Sequence, residues 1–562
     1  MAQADTIETI ERPAAAPHAD STHPDVISQA ELDSTQVSRS VAKAMSLLFL
    51  VLAGAVLVLD TIIQQSRDGR VKAADLFQPA ADAVATGSLR ALSPLGSPEF
   101  LRSYEESLAD HSPSRQFFQP RLQNVLSGAM GFGNDKGVIG RDGWLFYQSG
   151  IDYLTGPGIL DAAHLRLRTQ KMANKGDRDP NPDPRPAILR FNDDCRKAGV
   201  HLIVAPMPDK AQLQPAQLTR RMEFDAPMPP PNNRDFAQFV RELRQRGVDV
   251  FDPTPAQLRP GDIRYLIQDT HWTPPFMQQV AGDLADYIRR TVDLPPRQMR
   301  TQTKTLPVAR LGDIVGMLKL SADQSIYRPQ EVIVEQVQDS EGRPWHSDPS
   351  ADVVLLGDSF TNVFSDGEGG DGLGWGRSAG LAPHLSRFLG RPIDVIARNG
   401  SGASVTRAEL ARRPDPLGGK KVVIWEFAIR ELACESWKII PIQAKAPAAP
   451  PVADELVVQA ELLTSVPPEA RKTEVYVNAL MVLKMRVLSV EKGRHQGTMV
   501  LVKLPSILGR QVQPSTQMRV GEVYRLALRP QGPPEHEATQ VVDETGEFRL
   551  APFWVQRFEK LR

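Results

Sequence analysis

The chain has 562 residues, enough for two or three domains. Its 66 basic and 67 acidic residues nearly cancel, which argues against a nucleic-acid partner, and its 41% hydrophobic content is that of a globular protein. It has two cysteines, Cys195 and Cys434, which excludes a disulfide-stabilised scaffold. They could pair in an oxidising compartment, although two buried free thiols are the favoured prediction.

The first 63 residues predict a tail followed by a membrane anchor. Residues 1–43 are rich in Ala, Pro, Ser, Thr and acidic residues, which is typical of disorder. Residues 44–63 are an apolar run, broken by Asp60, near the lower length limit for a membrane-spanning helix. A cleaved signal peptide is disfavoured by the long preceding tail and the lack of an A-x-A site. A buried core helix is the other alternative. Basic residues flank the run on both sides, so charge does not orient it.

Residues 64–134 predict a helical and irregular connector, and residues 135–443 an α/β domain. Within this domain, the Asp142-Gly143 pair between apolar arms predicts a β-hairpin over 137–147. Helical and strand patterns then alternate, except in the less regular stretch 291–350. Strands are predicted at 201–206, 248–251, 353–356, 393–397 and 422–427, and helices at 187–198, 236–246, 274–290 and 381–389. Such alternation implies a parallel sheet with flanking helices, with function at the strand carboxyl ends.

An Ala/Pro-rich stretch at 444–453 predicts a linker to a domain of a different kind. Residues 454–562 contain strand patterns near 456–463, 476–490, 498–504 and 522–528, separated by turns. A small C-terminal all-β barrel or sandwich fits this spacing. The pattern does not distinguish an OB-like barrel from other small barrels.

One buried strand has a serine just beyond its carboxyl end. Residues 353–356 are four consecutive apolar residues, Gly357 allows a tight turn, and Ser359 precedes residues compatible with a helix. A serine at a strand-to-helix turn exposes its hydroxyl in a local field that favours negative charge. Nucleophilic acyl chemistry uses both features. The alternative is a helix N-cap serine on a structural turn.

Asp269 and His271 lie upstream, in Asp-Thr-His-Trp. Residues at i and i+2 share a face of an extended chain, so both side chains can point into one cleft. Nucleophilic serine needs a base, and the base needs an orienting group, so Asp269, His271 and Ser359 supply the residue types of a catalytic triad. A loop with a satisfied histidine is the alternative. A metal site is disfavoured, because no second His or Cys lies at ligand spacing.

Five motifs in a fixed order carry a family resemblance. They are Gly-Trp-Leu-Phe at 143–146, Ala-Pro-Met-Pro-Asp-Lys at 205–210, Asp-Thr-His-Trp at 269–272, Gly-Asp-Ser-Phe at 357–360 and Trp-Glu-Phe at 425–427. Over about residues 135–440, the chain resembles the alginate O-acetyltransferase family, whose members carry an SGNH-hydrolase-like domain. Ordinary SGNH hydrolases have the Ser block first and an Asp-x-x-His block last. The order here is that of the permuted acetyltransferase branch.

The resemblance implies a bacterial periplasmic enzyme that acetylates hydroxyls of an exported polysaccharide, with its triad on Asp269, His271 and Ser359. It implies a membrane-bound O-acyltransferase partner that brings acetyl groups across the inner membrane. It also orients the anchor, with residues 1–43 in the cytoplasm and the catalytic domain in the periplasm. The acyl transfer expected of such a triad needs no metal or nucleotide cofactor.

Two further residues are candidates for the site. Asn399, in Arg-Asn-Gly-Ser-Gly, is a candidate oxyanion donor together with the Ser359 backbone N–H, or simply an Asn at a Gly-rich turn. Arg430 could meet an anionic sugar, or form a surface salt bridge. A carbohydrate acetylesterase with the same triad and a non-catalytic polysaccharide-binding scaffold remain alternatives to the acetyltransferase, since the residues alone do not separate them.

Overall fold

The computed structural model describes residues 38–68, 71–86, 112–174, 179–365, 373–400, 402–442, 455–467, 478–533 and 539–561, with a few single positions between them. The predicted linker at 444–453 and residues 1–37 of the predicted tail lie outside these residues. The chain divides into two compact units, residues 1–119 and 120–562. The domain boundaries proposed from the sequence stay predictions.

The first unit contains one long apolar helix. This helix, α1 (Arg39–Asp68), includes the predicted anchor and is long and apolar enough to cross a membrane. A 3-10 helix (Lys72–Phe77) and α2 (Gln78–Thr86) follow it. Within the unit, the Asp60 carboxylate accepts hydrogen bonds from the Ser112 hydroxyl and from the backbone N–H of Ser114 (2.8 Å). The single acidic residue of the apolar run is therefore hydrogen-bonded.

The second unit is built around a parallel sheet, as predicted. Its strands are β3 (His201–Met207), β4 (Asp249–Val250), β7 (Val353–Gly357), β8 (Asp394–Ala397) and β9 (Val422–Ala428), in the order β4-β3-β9-β7-β8. All residues of β7 and β9 are buried, because helices cover both faces of the sheet. This burial explains why both strands are uninterrupted apolar runs except for Gly357 and Glu426.

Helices pack on the two faces in separate apolar clusters. The helices from residue 113 onward are α3 (Pro113–Met130), α4 (Gln148–Thr155), α5 (Ala162–Asn174), α6 (Pro184–Lys197), α7 (Lys210–Leu213), α8 (Pro215–Leu218), α9 (Phe236–Gln245), α10 (Pro274–Thr291), α11 (Asp313–Met317), α12 (Ser359–Asn362), α13 (Leu381–Leu389), α14 (Val405–Ala411) and α15 (Glu431–Cys434). Helices α10 and α13 cover one face, and α6, α9 and α14 the other. Alternate residues of β7 point into opposite clusters, as strand geometry requires.

Both cysteines are free thiols. Cys195 is buried in α6, as predicted, but Cys434 is exposed, so the expectation of two buried thiols is wrong for this residue.

Two antiparallel pairs form separate two-stranded sheets. The predicted hairpin is confirmed as β1 (Gly137–Ile139) and β2 (Leu145–Tyr147), with positive φ at Asp142 and Gly143 in its turn. Residues 291–350, predicted to be a less regular stretch, contain two strands that the sequence analysis missed, because β5 (Thr301–Arg310) and β6 (Gln330–Asp339) form a ten-residue antiparallel ribbon. Strand β5 is mostly exposed and polar, so it lacks the apolar alternation that identifies a half-buried strand.

The C-terminal region is a closed five-stranded barrel. Its strands are β10 (Leu456–Leu462), β11 (Ala479–Lys492), β12 (Met499–Leu508), β14 (Val523–Arg529) and β16 (Phe553–Lys560), and β13 (Gln511–Val512) and β15 (Gln540–Asp543) extend the sheet. The ring runs β10-β11-β12-β16-β14 and back to β10, with only the β12–β16 pair parallel. This pairing has the connectivity of an OB-fold, a choice that the sequence pattern left open.

The barrel packs directly on the α/β domain. Val405 of α14 lies in an apolar cluster with barrel residues that include Leu480 and Val541. Beside it, the buried side chains of Arg412 and Asp543 form an ion pair. The outer face of β11 and β12 is therefore partly covered by the α/β domain.

Candidate active site

Ser359 opens α12 directly after β7. A Cβ at Gly357 would lie 2.3 Å from Thr361 Oγ1 and 2.9 Å from Glu426 Oε2, so the turn before the serine requires glycine. Asp358 caps α12 by accepting a hydrogen bond from the Phe360 backbone N–H (2.8 Å). The N-cap role considered for Ser359 therefore belongs to Asp358. Since α12 is a single turn, the field of a long helix is absent at this turn.

The structure brings Asp269, His271 and Ser359 together. His271 Nδ1 lies 2.6 Å from Asp269 Oδ1, and His271 Nε2 lies 2.7 Å from Ser359 Oγ. Ser359 is partly exposed, whereas Asp269 and His271 are each only 2% exposed. In this arrangement, an imidazole can take the proton of the serine hydroxyl while a carboxylate holds its other nitrogen. The catalytic role of the three residues stays a prediction.

The Asp269 carboxylate accepts four hydrogen bonds. Oδ1 accepts from the backbone N–H (3.1 Å) and Nδ1 of His271, and Oδ2 accepts from the backbone N–H of Asp313 (3.0 Å) and from Trp375 Nε1 (2.9 Å). Burial alone would raise the pKa of Asp269, but the charge of His271 and these bonds outweigh it and lower the pKa. Burial by itself would lower the pKa of His271, and the Asp269 carboxylate raises it instead. The pair therefore favours an ionised Asp269 and a more basic imidazole.

A second carboxylate lies behind the histidine. Asp313 accepts hydrogen bonds from the backbone N–H (2.8 Å) and hydroxyl (2.6 Å) of Thr270, and its Oδ2 is 3.9 Å from His271 Nδ1. Burial and the charge of Asp269 raise the pKa of Asp313. Asp269, His271 and Asp313 each offer an atom within 4.8 Å of the others, close enough for a metal ion. A cation there would have to displace hydrogen bonds that the Asp269 carboxylate already accepts.

Glu426 of β9 lies directly beneath the serine turn. Its Oε2 accepts hydrogen bonds from the Asp358 backbone N–H (3.0 Å) and the Thr361 hydroxyl (2.7 Å). Burial and the charge of Asp358 raise the pKa of Glu426 well above its usual value. Asp358 also accepts a bond from the Ala428 backbone N–H (2.9 Å). The turn is thus fastened to β9 at both ends.

Asn399 and Arg430 lie near the same turn in different environments. Asn362 Nδ2 of α12 donates to Asn399 Oδ1 (3.0 Å), which links the Asn399 loop to the helix that begins at Ser359. The Arg430 guanidinium lies over the Phe360 ring (5.6 Å) and donates to Asp209 Oδ2 (3.2 Å). Arg430 is buried, so its salt bridge is internal and not the surface pair considered as its alternative.

Sequence reasoning overlooked four residues in or beside this site. Lys210 lies in the Ala-Pro-Met-Pro-Asp-Lys motif at 205–210 and Glu426 in Trp-Glu-Phe at 425–427, but the sequence indicated no role for either residue. Asp313 and Trp375 follow no recognisable motif, and they reach Asp269 only because the chain folds back on itself.

The chain matches the sequence profile of a family described as "SGNH hydrolase-like domain, acetyltransferase AlgX" over residues 138–429, about half of its length. The chain belongs to this family. The AlgX-type region contains Asp269, His271, Ser359 and Asn399 and ends one residue before Arg430. The predicted relationship to alginate O-acetyltransferases is thereby confirmed.

Relatives of the chain carry related names. The chain is 26% identical over 259 residues to "Probable alginate O-acetylase AlgJ" of Azotobacter vinelandii, covering 44% of this chain and 63% of that protein. The corresponding protein of Pseudomonas aeruginosa is 25% identical over 314 residues, covering 53% and 71%. A solved structure, "O-Acetyltransferase Domain of Pseudomonas putida AlgJ", aligns at 21% identity and a TM-score of 0.38, covering 54% of this chain and 94% of that one. The match thus spans just under two thirds of the first relative.

Proposed function

We propose that this protein is a polysaccharide O-acetyltransferase that works through an acetyl-serine intermediate on Ser359. One observation carries the proposal: His271 lies within hydrogen-bond distance of both Asp269 and Ser359. Membership of an acetyltransferase family supports the reaction class, and the names of the relatives favour an alginate-like acceptor. The order Asp, His, Ser along the chain is the one expected from the resemblance to the permuted acetyltransferase branch.

In the first half-reaction, Ser359 Oγ attacks the carbonyl carbon of an acetyl ester. His271 Nε2 takes the serine proton as the new C–O bond forms, and Asp269 stabilises the imidazolium. The tetrahedral oxyanion is held by the Ser359 backbone N–H, with Asn399 as a second donor. The bond to the donor oxygen then breaks, and that oxygen leaves with the proton from His271. The product is acetyl-Ser359 and a free alcohol.

In the second half-reaction, a sugar hydroxyl replaces the departed alcohol. His271 removes its proton, the sugar oxygen attacks the acetyl carbon, and Ser359 leaves with the proton returned by His271. Water in place of the sugar would give an esterase. The balance between transfer and hydrolysis therefore depends on how well the site binds the acceptor and excludes water.

The cellular setting belongs to the same proposal. Helix α1 anchors the chain in the bacterial inner membrane, with the catalytic domain in the periplasm. A membrane-bound O-acyltransferase supplies acetyl groups from the cytoplasmic side. The length and apolar character of α1 support the anchor.

The test is to mix the purified protein with an acetyl ester donor and an oligosaccharide and to follow the products by mass spectrometry. Acetylated sugar together with acetyl on the Ser359 peptide is the expected result. Free acetate without acetylated sugar would identify an esterase. Neither product would identify a non-catalytic binding scaffold and overturn the proposal.

A further inference from the structure

Lys210 is a buried lysine that contacts the backbone of the segment containing Asp269 and His271. It is 2% exposed and begins α7, just after β3. Its Nζ donates to three backbone carbonyls, those of Leu145 (2.5 Å), Ile267 (2.8 Å) and Asp269 (3.0 Å). An ammonium group has three N–H donors, so these bonds satisfy it fully.

The three carbonyls belong to two segments that the ammonium joins. Leu145 lies in β2, and its backbone N–H donates to the Ile267 carbonyl (2.9 Å), so β2 runs beside the segment that leads to Asp269. The Nζ also lies 5.0 Å from the Trp144 ring centroid and 5.1 Å from that of Phe146. Cation–π attraction therefore adds to the hydrogen bonds in holding Nζ at one point. Through these contacts, the β1–β2 hairpin and Lys210 together hold the backbone of the segment that ends at Asp269.

We propose that Lys210 is a positioning residue that holds Asp269 at its hydrogen-bonding distance from His271 by fixing the Asp269 carbonyl. This role rests on the proposed function. The Asp269–His271 hydrogen bond is short, at 2.6 Å, and it joins residues only two positions apart, so it depends closely on the backbone conformation at Asp269. A rotation of the Asp269 peptide would turn the carboxylate away from Nδ1.

The cost of burying this group supports a specific role for it. Burial lowers the pKa of Lys210 to about 7, although the charges of Asp269, Asp313 and Asp209 favour the ammonium. A methionine at this position would fill a similar volume without that cost. It would also remove the ammonium donor from the three carbonyls, of which only that of Ile267 is shown to keep another donor, the Leu145 backbone N–H.

The experiment measures the reactivity of Ser359 with phenylmethylsulfonyl fluoride in the full chain. Sulfonylation forms an Oγ–S bond, releases fluoride and passes the serine proton to His271. Its rate therefore depends on the Asp269–His271 pair and not on any polysaccharide. We expect Lys210→Met to lower the rate at least tenfold. We also expect the acid limb of the rate–pH profile to move to lower pH, because a displaced Asp269 no longer raises the pKa of His271.

A double-mutant cycle separates positioning from a general loss of stability. If Lys210 acts through Asp269, adding Lys210→Met to Asp269→Asn should change the labelling rate by less than about twofold. The matched control is Lys420→Met. Lys420 is also a buried lysine, bonded to two carbonyls and to Asp394, but it lies just before β9, at the amino-terminal end of the parallel strands and so opposite the Ser359 turn. Lys420→Met should lower the melting temperature and leave the labelling rate of Ser359 unchanged.

Each outcome decides the matter. An unmoved or upward-shifted acid limb, or additive losses in the cycle, would overturn the positioning role while leaving the triad intact. An unlabelled Ser359 in the wild type would overturn both the triad and the role of Lys210. If Lys210→Met does not fold, Lys210→Arg takes its place, since a planar guanidinium keeps the charge but cannot direct three donors as an ammonium does.

Discussion

Asp269, His271 and Ser359 should respond differently to substitution. Ser359→Ala removes the nucleophile, so acetyl transfer should fall to background. His271→Ala removes the base and should be nearly as damaging. Asp269→Asn favours the wrong imidazole tautomer, a change that costs about ten-thousand-fold in a serine protease triad. Because triad members act as a unit, Ser359→Ala combined with His271→Ala should be little worse than either alone. Acetyl transfer and mass spectrometry of the Ser359 peptide measure these effects.

The folding control for these variants must allow for the burial of two of them. Asp269 and His271, whose side chains the sequence places facing one cleft, are almost fully buried. Because the folded pKa of Asp269 is lowered, its ionised form stabilises the protein above the unfolded value of 3.8. Asp269→Asn should therefore be less stable than the wild type at pH 7. The difference in stability between the two proteins should shrink as the pH falls below 3.8. A folded Ser359→Ala protein with normal turnover would disprove the covalent mechanism.

Glu426 should behave as a neutral acid. The folded pKa is raised, so the folded state holds a proton that the unfolded state loses above about pH 4.5. This term lowers the stability of the wild type as the pH rises, by up to about 1.4 kcal/mol per pH unit. Glu426→Gln has no carboxyl group and so lacks this pH-dependent loss of stability. Its free energy of unfolding relative to the wild type should therefore improve between pH 4 and 7. Urea unfolding across that range is the measurement. A constant difference between the two proteins would mean that Glu426 is ionised.

At the scale of an element, the strand-to-helix turn depends on one glycine. Gly357→Ala would place a methyl group against Thr361 and Glu426, which must then move the start of α12 and with it Ser359. We expect at least a hundredfold loss of Ser359 acetylation, since small displacements of a nucleophile have effects of about this size. The matched control is Gly282→Ala inside α10, where the nearest atom is 3.9 Å away and alanine is the better helix former. Equal activity in both variants would contradict the steric account.

At the scale of the whole molecule, the barrel and the α/β domain should share stability. Asp543→Ala would leave Arg412 buried without its charged partner, and such a loss costs about 3–5 kcal/mol. The exposed pair of Lys492 and Glu455 is the control, because Glu455→Ala should leave the melting temperature nearly unchanged. Differential scanning calorimetry compares the two. If Asp543→Ala melts like the wild type, the barrel contributes little to the domain on which it packs.

The anchor proposal predicts one topology. A reporter that is active only in the periplasm, fused after Arg562, should be active, because a single span between residues 44 and 63 places everything beyond it outside the cytoplasm. The matching control is the same reporter fused before the span, which should be inactive. The opposite pattern would remove both the periplasmic assignment and the acyltransferase partner.

Some of this architecture was determined by the sequence alone, because it depends on neighbouring residues. The apolar run before Gly357 marked the buried strand that ends two residues before Ser359, and Asp142-Gly143 marked the hairpin. Spacing of two residues also placed Asp269 and His271 on one side of the chain. Strand β5 was missed because a ribbon exposed to solvent needs no apolar alternation.

Only the tertiary structure decided how these parts are held. Trp375, Asp313 and Lys210 reach the Asp269 segment from distant positions, and Arg430 finds Asp209 across more than 200 residues. The OB-type closure likewise required the pairing of β11 with β12 and of β12 with β16, neither of which follows from the strand pattern. Local periodicity specifies which face of an element is buried. It does not specify which distant donor will meet a buried carboxylate, because that depends on how the elements pack.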